Sequence, residues 1–400
     1  MLIRKAFKYR LKTNRPIESK MTQFAGCCRF VWNKALSLQK ERLEAGEYCL
    51  NYTQLCNLLV QWKKETVFLN EAPSQALQQT LKNLDKALKE AFDKKNPKRF
   101  PRFKKKGLHD SFRFPQGFKI DGNRIFLPKI GWVRFFKSRD MEGLPKNITV
   151  SRQGKHWFAS VQVEVEIGKP VHPSESAIGI DMGVKRFATL SDGTFIEPLS
   201  SFRKLEKKLA REQRKLSRKV KGSNNRRKQK AKVSKVHIKI ANARNDFIHK
   251  ASTTISKSHA VVVLEDLRIR NMSRSAKGDL DEPGRNVRAK SGLNKAILDQ
   301  GWHEFRRQLK YKQSWLGGMV IAVPSQNTSR TCPACGLVSR ENRKTQSRFA
   351  CMQCGYVENA DFVAATNILA VGHAVSACGE AVRPEQFVRA ASVKQESPVL

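Results

Sequence analysis

The spacing of hydrophobic residues predicts a strand followed by helices at the start of the chain. Residues 2–12 alternate between apolar and polar positions, which is typical of a strand with one wet, basic face. Residues 18–45 repeat their apolar side chains with a helical period, and further helices are predicted over 53–65 and 74–92. Ser74 stands where an N-cap residue is expected for the last of these helices.

Strands dominate the next segment, residues 112–167. The clearest strand covers 156–166 and follows residues 148–151 across a Gln-Gly-Lys turn, a pattern that predicts a β-hairpin. Because the first strand and these later strands bracket the helices, we expect one small barrel with a helical insertion. The proline-containing segment 169–175 predicts the main domain boundary.

The second half of the chain begins with three short strands, within 177–183, 187–193 and 194–196, separated by glycine-containing turns. This pattern predicts an antiparallel meander. Two apolar runs further along, 260–264 and 319–323, predict buried strands. The second half therefore predicts a mixed sheet.

Helices and loops separate these strands. Residues 203–239 hold seventeen Lys or Arg against two Glu and predict a basic helical hairpin broken near 222–225. A polar, mobile loop is predicted over 268–292, and one helix over 293–313. A last helix is predicted over 361–371.

The charge of the chain points to a polyanionic partner. Its formal net charge is +42, from 77 Lys and Arg against 35 Asp and Glu. So one-sided a charge is best explained by nucleic acid, with an acidic membrane surface as the alternative. No apolar run approaches the ~20 residues that span a bilayer, and no signal peptide opens the chain. We expect a cytoplasmic, nucleoid-associated protein with no membrane partner.

Four cysteines form the most specific pattern in the chain, as two CxxC pairs separated by fifteen residues. They are Cys332, Cys335, Cys351 and Cys354. A glycine follows each second cysteine, and two such knuckles can place four thiolates around one Zn²⁺. Unrelated cysteines or two redox motifs are the alternatives. Four sulfur ligands leave no open position, so this zinc is expected to be structural.

Two basic segments are candidates for contacting nucleic acid. The polar face of the helix over 74–92 carries Gln75, Gln79 and Lys82, which combine phosphate-binding and base-reading groups. Residues 94–106 alternate cations, Lys104 and Lys105 among them, with two phenylalanines. The first pattern is also that of an ordinary solvent-exposed helix face, and the second is also that of a plain linker.

Three separated carboxylates are candidates for catalysis. Asp181 ends the first strand of the meander, Glu265 ends a buried strand, and Asp361 begins the last helix. Taken singly, Asp181 could belong to a turn, Glu265 could be a surface charge at a strand end, and Asp361 could be an N-cap. The order of elements is that of an RNase H-like fold, which brings such acids to one sheet edge. Clustered carboxylates need cations, and two Mg²⁺ or Mn²⁺ ~3.5–4 Å apart, bridged by Asp181, would hydrolyse a phosphodiester.

Several segments of the chain resemble the TnpB family of insertion-sequence-encoded proteins, which is similar to type V CRISPR nucleases. They read GIDMGVKRFATLSDG, VVVLEDLRIRNMSRSAKG, GLNKAILDQGW, CPACG with CMQCG, and NADFVAATNILA. The likeness covers almost the whole chain, including MLIRKAFKYRL and SQALQQTLKNLDKA. One motif departs from the family pattern, because Ala360 precedes Asp361 and Val363 occupies the position of an asparagine.

The resemblance implies an α+β multidomain protein that cleaves DNA under the guidance of an RNA from the transposon end. Its expected domains are a wedge-type β-barrel (1–15 and 112–170), a helical recognition lobe (16–111), a RuvC-like nuclease domain (175–330 and 356–372), a zinc ribbon (331–355) and a disordered tail (373–400). The catalytic acids of the family match Asp181, Glu265 and Asp361. A double-stranded DNA target and a separately encoded transposase are the other expected partners.

Two other functions remain open from the residues alone. A zinc-containing regulator could bind DNA or RNA without cutting it, and a transposase could join strands with the same two-metal chemistry. The basic charge and the cysteines serve all three functions. The three acids favour cleavage over simple binding, because a pure binding protein has no reason to place carboxylates beside phosphates.

Overall fold

The computed structural model describes residues 2–95, 98–279 and 281–377, and the chain divides into two compact units. Unit 1 ends at Gly168, and unit 2 begins at Lys169, within the region predicted to link the domains. Each unit encloses its own hydrophobic core.

Unit 1 contains two antiparallel sheets. Its strands are β1 (Leu2–Arg10), β2 (Ser111–Phe114), β3 (Lys119–Asp121), β4 (Arg124–Leu127), β5 (Gly131–Arg134), β6 (Leu144–Gln153) and β7 (His156–Glu166). The first sheet has the order β1-β7-β6-β2, so the first strand does join the later strands, as the sequence predicted. β3, β4 and β5 form the second sheet, and an isolated bridge between Leu11 and Phe135 connects the two. Among the described residues, these ladders do not close into one continuous barrel.

Two helices of unit 1, the first and the third, pack on the first sheet through their apolar stripes, and the second packs on the third. The helices of this unit are α1 (Arg15–Glu44), α2 (Tyr52–Glu65), a short 3₁₀ helix (Val67–Glu71) and α3 (Ser74–Ala91). Asn14 caps α1 by accepting from the Ile17 N–H at 3.0 Å. The predicted cap at Ser74 is wrong, because Pro73 precedes α3 at the N-cap position. The Ser74 hydroxyl instead accepts from Lys63 Nζ at 2.9 Å.

Unit 2 is built on a five-stranded sheet with the order β10-β9-β8-β11-β12. Its strands are β8 (Ala177–Asp181), β9 (Ala188–Leu190), β10 (Phe195–Ile196), β11 (Val261–Glu265) and β12 (Met319–Val323). The first three form the predicted antiparallel meander, and β11 lies parallel to both β8 and β12. This mixed order is the one expected of an RNase H-like sheet.

The helices of unit 2 differ in part from the prediction. They are α4 (Ser201–Ser217), α5 (Asn224–Ser258), α6 (Ile269–Met272), α7 (Val287–Gln300), α8 (Trp302–Leu316) and α9 (Ala360–Ala377). The basic hairpin forms from α4 and α5. The single helix predicted over 293–313 is wrong, because Gly301 has a φ of 74° and separates α7 from α8. A Cβ at Gly301 would lie 2.9 Å from Ile248 Cδ1, so this break also permits close packing.

Two other predicted boundaries shift. The loop predicted over 268–292 contains α6 and the first turns of α7. α9 continues to Ala377, so residues 373–377 of the predicted tail are helical, and 378–400 lie outside the described residues. None of the helices in the described ranges combines the length and the apolar character needed to traverse a bilayer.

Candidate active site and cysteine module

Two acids leave the same edge of the unit 2 sheet. β8 and β11 run parallel, with Ile180 opposite Leu264. Asp181 and Glu265 are the next residues of these strands. Because both strands are largely buried and point the same way, their last residues emerge side by side. The sheet therefore places these two carboxylates as neighbours.

The third acid arrives on α9, which packs directly over β8. A Cβ on Gly179 would lie 2.2 Å from the Ala365 carbonyl oxygen, so the close approach of α9 requires glycine there. Asn359 caps α9 by accepting from the Asp361 N–H at 3.0 Å. The carboxylate of Asp361 is therefore not the cap of its own helix.

The charges of Glu265 and Asp361 both act on Asp181. Burial is the largest cause that raises the pKa of Asp181 to about 7, and the charges of Glu265 and Asp361 raise it further. Burial also raises the pKa of Glu265. A site in which two carboxylates oppose the ionisation of a third favours bound cations.

A cation of the chain itself already lies at this site. Arg343 Nη2 donates to Asp361 Oδ1 at 3.2 Å, and its charge lowers the pKa of Asp181. Arg343 lies between the two CxxC pairs, so the cysteine module supplies this guanidinium. The sequence analysis missed Arg343, because nothing in its local pattern distinguishes it from neighbouring basic residues.

The donor set of the three acids fits divalent cations that prefer oxygen ligands. Within the residues that the structure describes, only the four cysteines bring three or more ligand atoms within 4.8 Å of one another. Carboxylates that hold two ions about 3.5–4 Å apart need not lie so close, because the distance between the ions adds to their separation. The geometry is thus compatible with a pair of ions held by the acids.

The four cysteines meet at one point. Cys332 Sγ lies 3.6 Å from Cys354 Sγ, and Cys335 Sγ lies 3.5 Å from Cys351 Sγ. Four sulfurs bound tetrahedrally at 2.3 Å from zinc would be about 3.8 Å apart. The backbone N–H of Cys354, and then that of Gln353, lower the pKa of the Cys351 thiol to about 6. The spacing of the four sulfurs fits a zinc site of four thiolates.

The cysteine module packs against the start of α9. It contains the hairpin of β13 (Arg348–Ala350) and β14 (Val357–Asn359), and β14 leads directly into the helix. Its small core consists of Cys332, Phe349, Cys351, Ala360 and Val363. Val363 is fully buried there, so the residue that departs from the family pattern fills this core.

The candidate DNA-reading residues lie in unit 1, on one side of α3. Gln75 and Gln79 are partly exposed, and Lys82 is exposed. Gln79 Nε2 donates to Asn83 Oδ1 at 3.1 Å. Gln75 Oε1 is buried and has no hydrogen-bond partner among the described residues. These positions give the face a polar character, and their role in reading DNA stays a prediction.

Lys104 and Lys105 differ although they are adjacent. The backbone of Lys104 exchanges two hydrogen bonds with the Asn33 side chain, at 2.8 and 3.0 Å. Its Nζ lies 3.9 Å from the centroid of the Trp32 ring, and burial lowers its pKa. Lys105 is exposed. The structure therefore makes Lys105 the better candidate for a phosphate contact.

Comparison with known proteins identifies the family. The chain is 55% identical over 382 residues to the protein named "Putative RNA-guided DNA endonuclease InsQ" of Escherichia coli K12, with 94% of each chain covered. It is 34% identical over 406 residues to a protein of Streptomyces pristinaespiralis named "Putative RNA-guided DNA endonuclease", with 98% and 96% covered. The chain belongs to the TnpB family. A solved Cas12f1–sgRNA–target DNA complex contains a protein of the same fold, with 15% identity, a TM-score of 0.57 and 92% of this TnpB chain and 98% of that chain covered.

Three family profiles match parts of this TnpB chain. Residues 160–276 match a profile described as "Probable transposase", and residues 302–368 match "Cas12f1-like, TNB domain". The second match includes the cysteine module and the start of α9. Residues 1–47 match a profile described as "Helix-turn-helix domain". In the structure this last segment forms β1 and α1.

Proposed function

We propose that this chain is an RNA-guided DNA endonuclease encoded by a transposable element, which hydrolyses phosphodiester bonds at Asp181, Glu265 and Asp361. The observation that carries this proposal is the meeting of three distant acids at one edge of an RNase H-like sheet, where they shift the pKa of Asp181. The two relatives described above are named RNA-guided DNA endonucleases, which supports the same conclusion.

The acids would hold two divalent cations, Mg²⁺ or Mn²⁺, with Asp181 shared between them. When bound, such ions activate the attacking water and neutralise charge at the leaving 3′ oxygen. Asp181 and Glu265 hold their carboxylates at fixed positions, because each follows a buried, paired strand. Arg343 balances the charge of Asp361 and would offer a cation to a phosphate bound beside that acid.

A structural Zn²⁺ at Cys332, Cys335, Cys351 and Cys354 completes the proposal. The four thiolates saturate a tetrahedral ion, so the zinc takes no part in hydrolysis. Its role is to fix the fold of the module that carries Arg343. The small hydrophobic core shared by this module and α9 would then hold Asp361 in place.

The partners would be a guide RNA from the transposon end and a double-stranded DNA target, and a separately encoded transposase would carry out transposition. The net charge of +42 supports a large nucleic-acid partner. Base pairing would supply sequence specificity, while the protein would read duplex shape and a short flanking motif. In this proposal the two sheets of unit 1 form the wedge-type domain without closing into a continuous barrel. The helices α1 to α3 form the recognition lobe, with Gln75, Gln79 and Lys82 facing the flanking motif.

The test is to sequence RNA that co-purifies with the protein, and then to assay plasmid cleavage by the complex in Mg²⁺. We expect one discrete noncoding RNA and cleavage of a plasmid that matches its guide region. Asp181→Ala should abolish cleavage but retain the RNA, whereas Asp192→Ala, at an exposed turn, should cut normally. Full cleavage by Asp181→Ala would refute the assignment, and RNA binding without cleavage by the wild type would favour the non-cutting regulator.

A further inference from the structure

A turn between β12 and the first zinc knuckle reaches back to the acid cluster. Val323, the last residue of β12, is the register partner of Glu265 on β11. The chain then folds into a turn in which the Arg330 and Thr331 N–H groups both donate to the Asn327 carbonyl, at 2.9 and 3.0 Å. Cys332 follows directly. This turn therefore connects the strand beside one acid to the cysteine module.

Thr328 in this turn contacts Glu265. Its Oγ1 donates to Glu265 Oε1 at 2.6 Å, a short distance typical of a hydroxyl bound to a carboxylate. The next acceptor, the Ser325 carbonyl, is 3.4 Å away, so the single hydroxyl proton goes to the acid. Thr328 is 6% exposed and Glu265 is 8% exposed. The bond is buried, where competing water is excluded.

Asn367 on α9 fixes the turn that carries Thr328. Its Nδ2 donates to the Thr328 carbonyl at 2.7 Å and to the Thr331 carbonyl at 2.8 Å, and it is 7% exposed. Both amide protons are thus used on one turn. The same helix carries Asp361 in its first turn. A continuous chain of hydrogen bonds therefore connects α9 to the Glu265 carboxylate.

We propose that Thr328 and Asn367 are positioning residues, which hold the Glu265 carboxylate in register with Asp361. This inference rests on the proposed function, because it assumes that the two acids share a pair of cations. Thr328 fixes one oxygen of Glu265 and leaves the other for a metal. Asn367 holds the Thr328 turn against α9, the helix on which the cysteine module packs, so the orientation of the Glu265 carboxylate depends on that packing. Partners of ligating carboxylates typically change metal affinity or activity 10–100-fold when removed.

The experiment uses the full-length protein, freed of RNA and loaded with zinc, titrated calorimetrically with Mn²⁺. Thr328→Val should weaken Mn²⁺ binding at least about 10-fold. When the same protein is reassembled with its guide RNA, the variant should raise the Mg²⁺ concentration for half-maximal cleavage similarly. Thr328→Ser, which keeps the hydroxyl, should stay within about 3-fold of wild type. Asn367→Leu should change both quantities in the same direction as Thr328→Val.

The matched control is Thr331→Val in the same turn. The Thr331 hydroxyl donates to the Asn327 carbonyl and contacts no acid, so its loss should leave Mn²⁺ affinity unchanged. Zinc content and thermal midpoint are measured for every variant. If Thr328→Val loses zinc or folds poorly, the test uses wild type, Thr328→Ser and Asn367→Leu instead. Weakened metal binding with rescue by serine supports the inference, because a merely structural hydroxyl would not alter half-saturation by Mg²⁺.

The outcomes separate this inference from the proposed function. Equal Mn²⁺ affinity and equal Mg²⁺ half-saturation in Thr328→Val and wild type would overturn the positioning role and leave the nuclease assignment standing. If Thr328→Val weakens Mn²⁺ binding but the wild-type complex cuts no DNA, the positioning role stands and the nuclease assignment alone is overturned. Wild-type protein that binds no Mn²⁺ would overturn both.

Discussion

The cysteine site and the carboxylate site differ in how far along the chain their members are separated. Cys332 to Cys354 form one short segment, and each knuckle is closed by a backbone hydrogen bond, such as that from the Gly336 N–H to the Cys332 carbonyl at 2.9 Å. Asp181, Glu265 and Asp361 come instead from two strands and a late helix. The first site is specified by local spacing and the second by the topology of the whole sheet.

The two sites also differ in how they tolerate their own charge. Cys335 and Cys354 are exposed, and backbone N–H groups lower the pKa of the Cys351 thiol, so at least one thiolate of this site forms with local help. Glu265 is buried, and Asp181 is held where ionisation is opposed. In the proposed function, metal at the cysteines would therefore stabilise folding directly, whereas metal at the acids would relieve the repulsion that folding creates among them.

The largest expected effect is that of Cys351→Ser, which removes one of the four proposed zinc ligands. Apparent zinc-binding free energies of roughly 10–16 kcal/mol in small zinc modules show how much order depends on a full ligand set. We expect the purified variant to contain no stoichiometric zinc by mass spectrometry. Its cleavage should fall to background, because Arg343 and the Thr328 turn lose their support.

The matched control for that change is Cys56→Ser, at a partly exposed cysteine in unit 1. This variant should keep both its zinc and its activity. Full zinc occupancy in Cys351→Ser would show that the four sulfurs do not bind one ion. Normal cleavage by a zinc-free protein would show instead that the two sites are independent.

Asp181→Asn should stabilise the Mg²⁺-free protein at alkaline pH. The folded-state pKa of Asp181 is about 7, against an ordinary value of 3.8, so the folded state retains a proton that the unfolded state releases. The free energy of unfolding therefore falls as pH rises through this window, by up to about 4 kcal/mol above pH 7. Asparagine carries no charge and removes this cost.

Denaturation of both zinc-loaded proteins at pH 8 and pH 4, in buffer without added Mg²⁺ or chelator, measures the effect. The gain from Asp181→Asn should be large at pH 8 and nearly absent at pH 4, and Mg²⁺ should stabilise wild type but not the variant. Asp192→Asn, at an exposed position, is the control. A gain that is independent of pH would mean that the charge of Asp181 is not opposed by its surroundings.

Gly179→Ala tests the contact that brings Asp361 to the sheet. Its Cβ would lie 2.2 Å from the Ala365 carbonyl oxygen and 2.7 Å from the Leu369 nitrogen, both backbone atoms of α9. Overpacking of this kind costs about 1–3 kcal/mol, and relief requires α9 to move away from β8. We expect a lower thermal midpoint and slower cleavage.

Gly292→Ala is a stringent control for that variant. Gly292 lies within α7, and a Cβ there meets no atom within 4 Å, so alanine should be neutral or slightly stabilising. If Gly179→Ala cleaves as fast as Gly292→Ala, the position of Asp361 does not depend on the close packing of α9 on β8.

The features that the sequence predicted are those with a short-range signal. The meander and the strands over 260–264 and 319–323 were visible as apolar runs bounded by turns, and the cysteine cluster was visible as spacing. The meeting of the acids required the order of the strands in addition, since parallel pairing of β8 with β11 unites residues far apart in the chain.

The features that the sequence did not predict depend on three-dimensional context. The apolar stripe over 293–313 continues across Gly301, and only the packing of that glycine against Ile248 shows why the helix breaks there. Thr328 and Arg343 have no local pattern of their own. Their partners, Glu265 and Asp361, lie on other elements, so their roles follow only from the folded contacts.

The smallest expected effect separates two adjacent lysines of unit 1. Lys105 is exposed, so Lys105→Gln should remove about one phosphate contact and reduce the salt slope of RNA affinity by about 1. The Lys104 ammonium stacks on Trp32, so Lys104→Gln should lower the thermal midpoint and leave that slope almost unchanged. Dissociation constants measured over a range of salt concentrations, with the two midpoints, distinguish these roles. Equal slopes for both variants would mean that the Lys104 ammonium leaves the Trp32 ring when RNA binds and contacts the phosphate backbone instead.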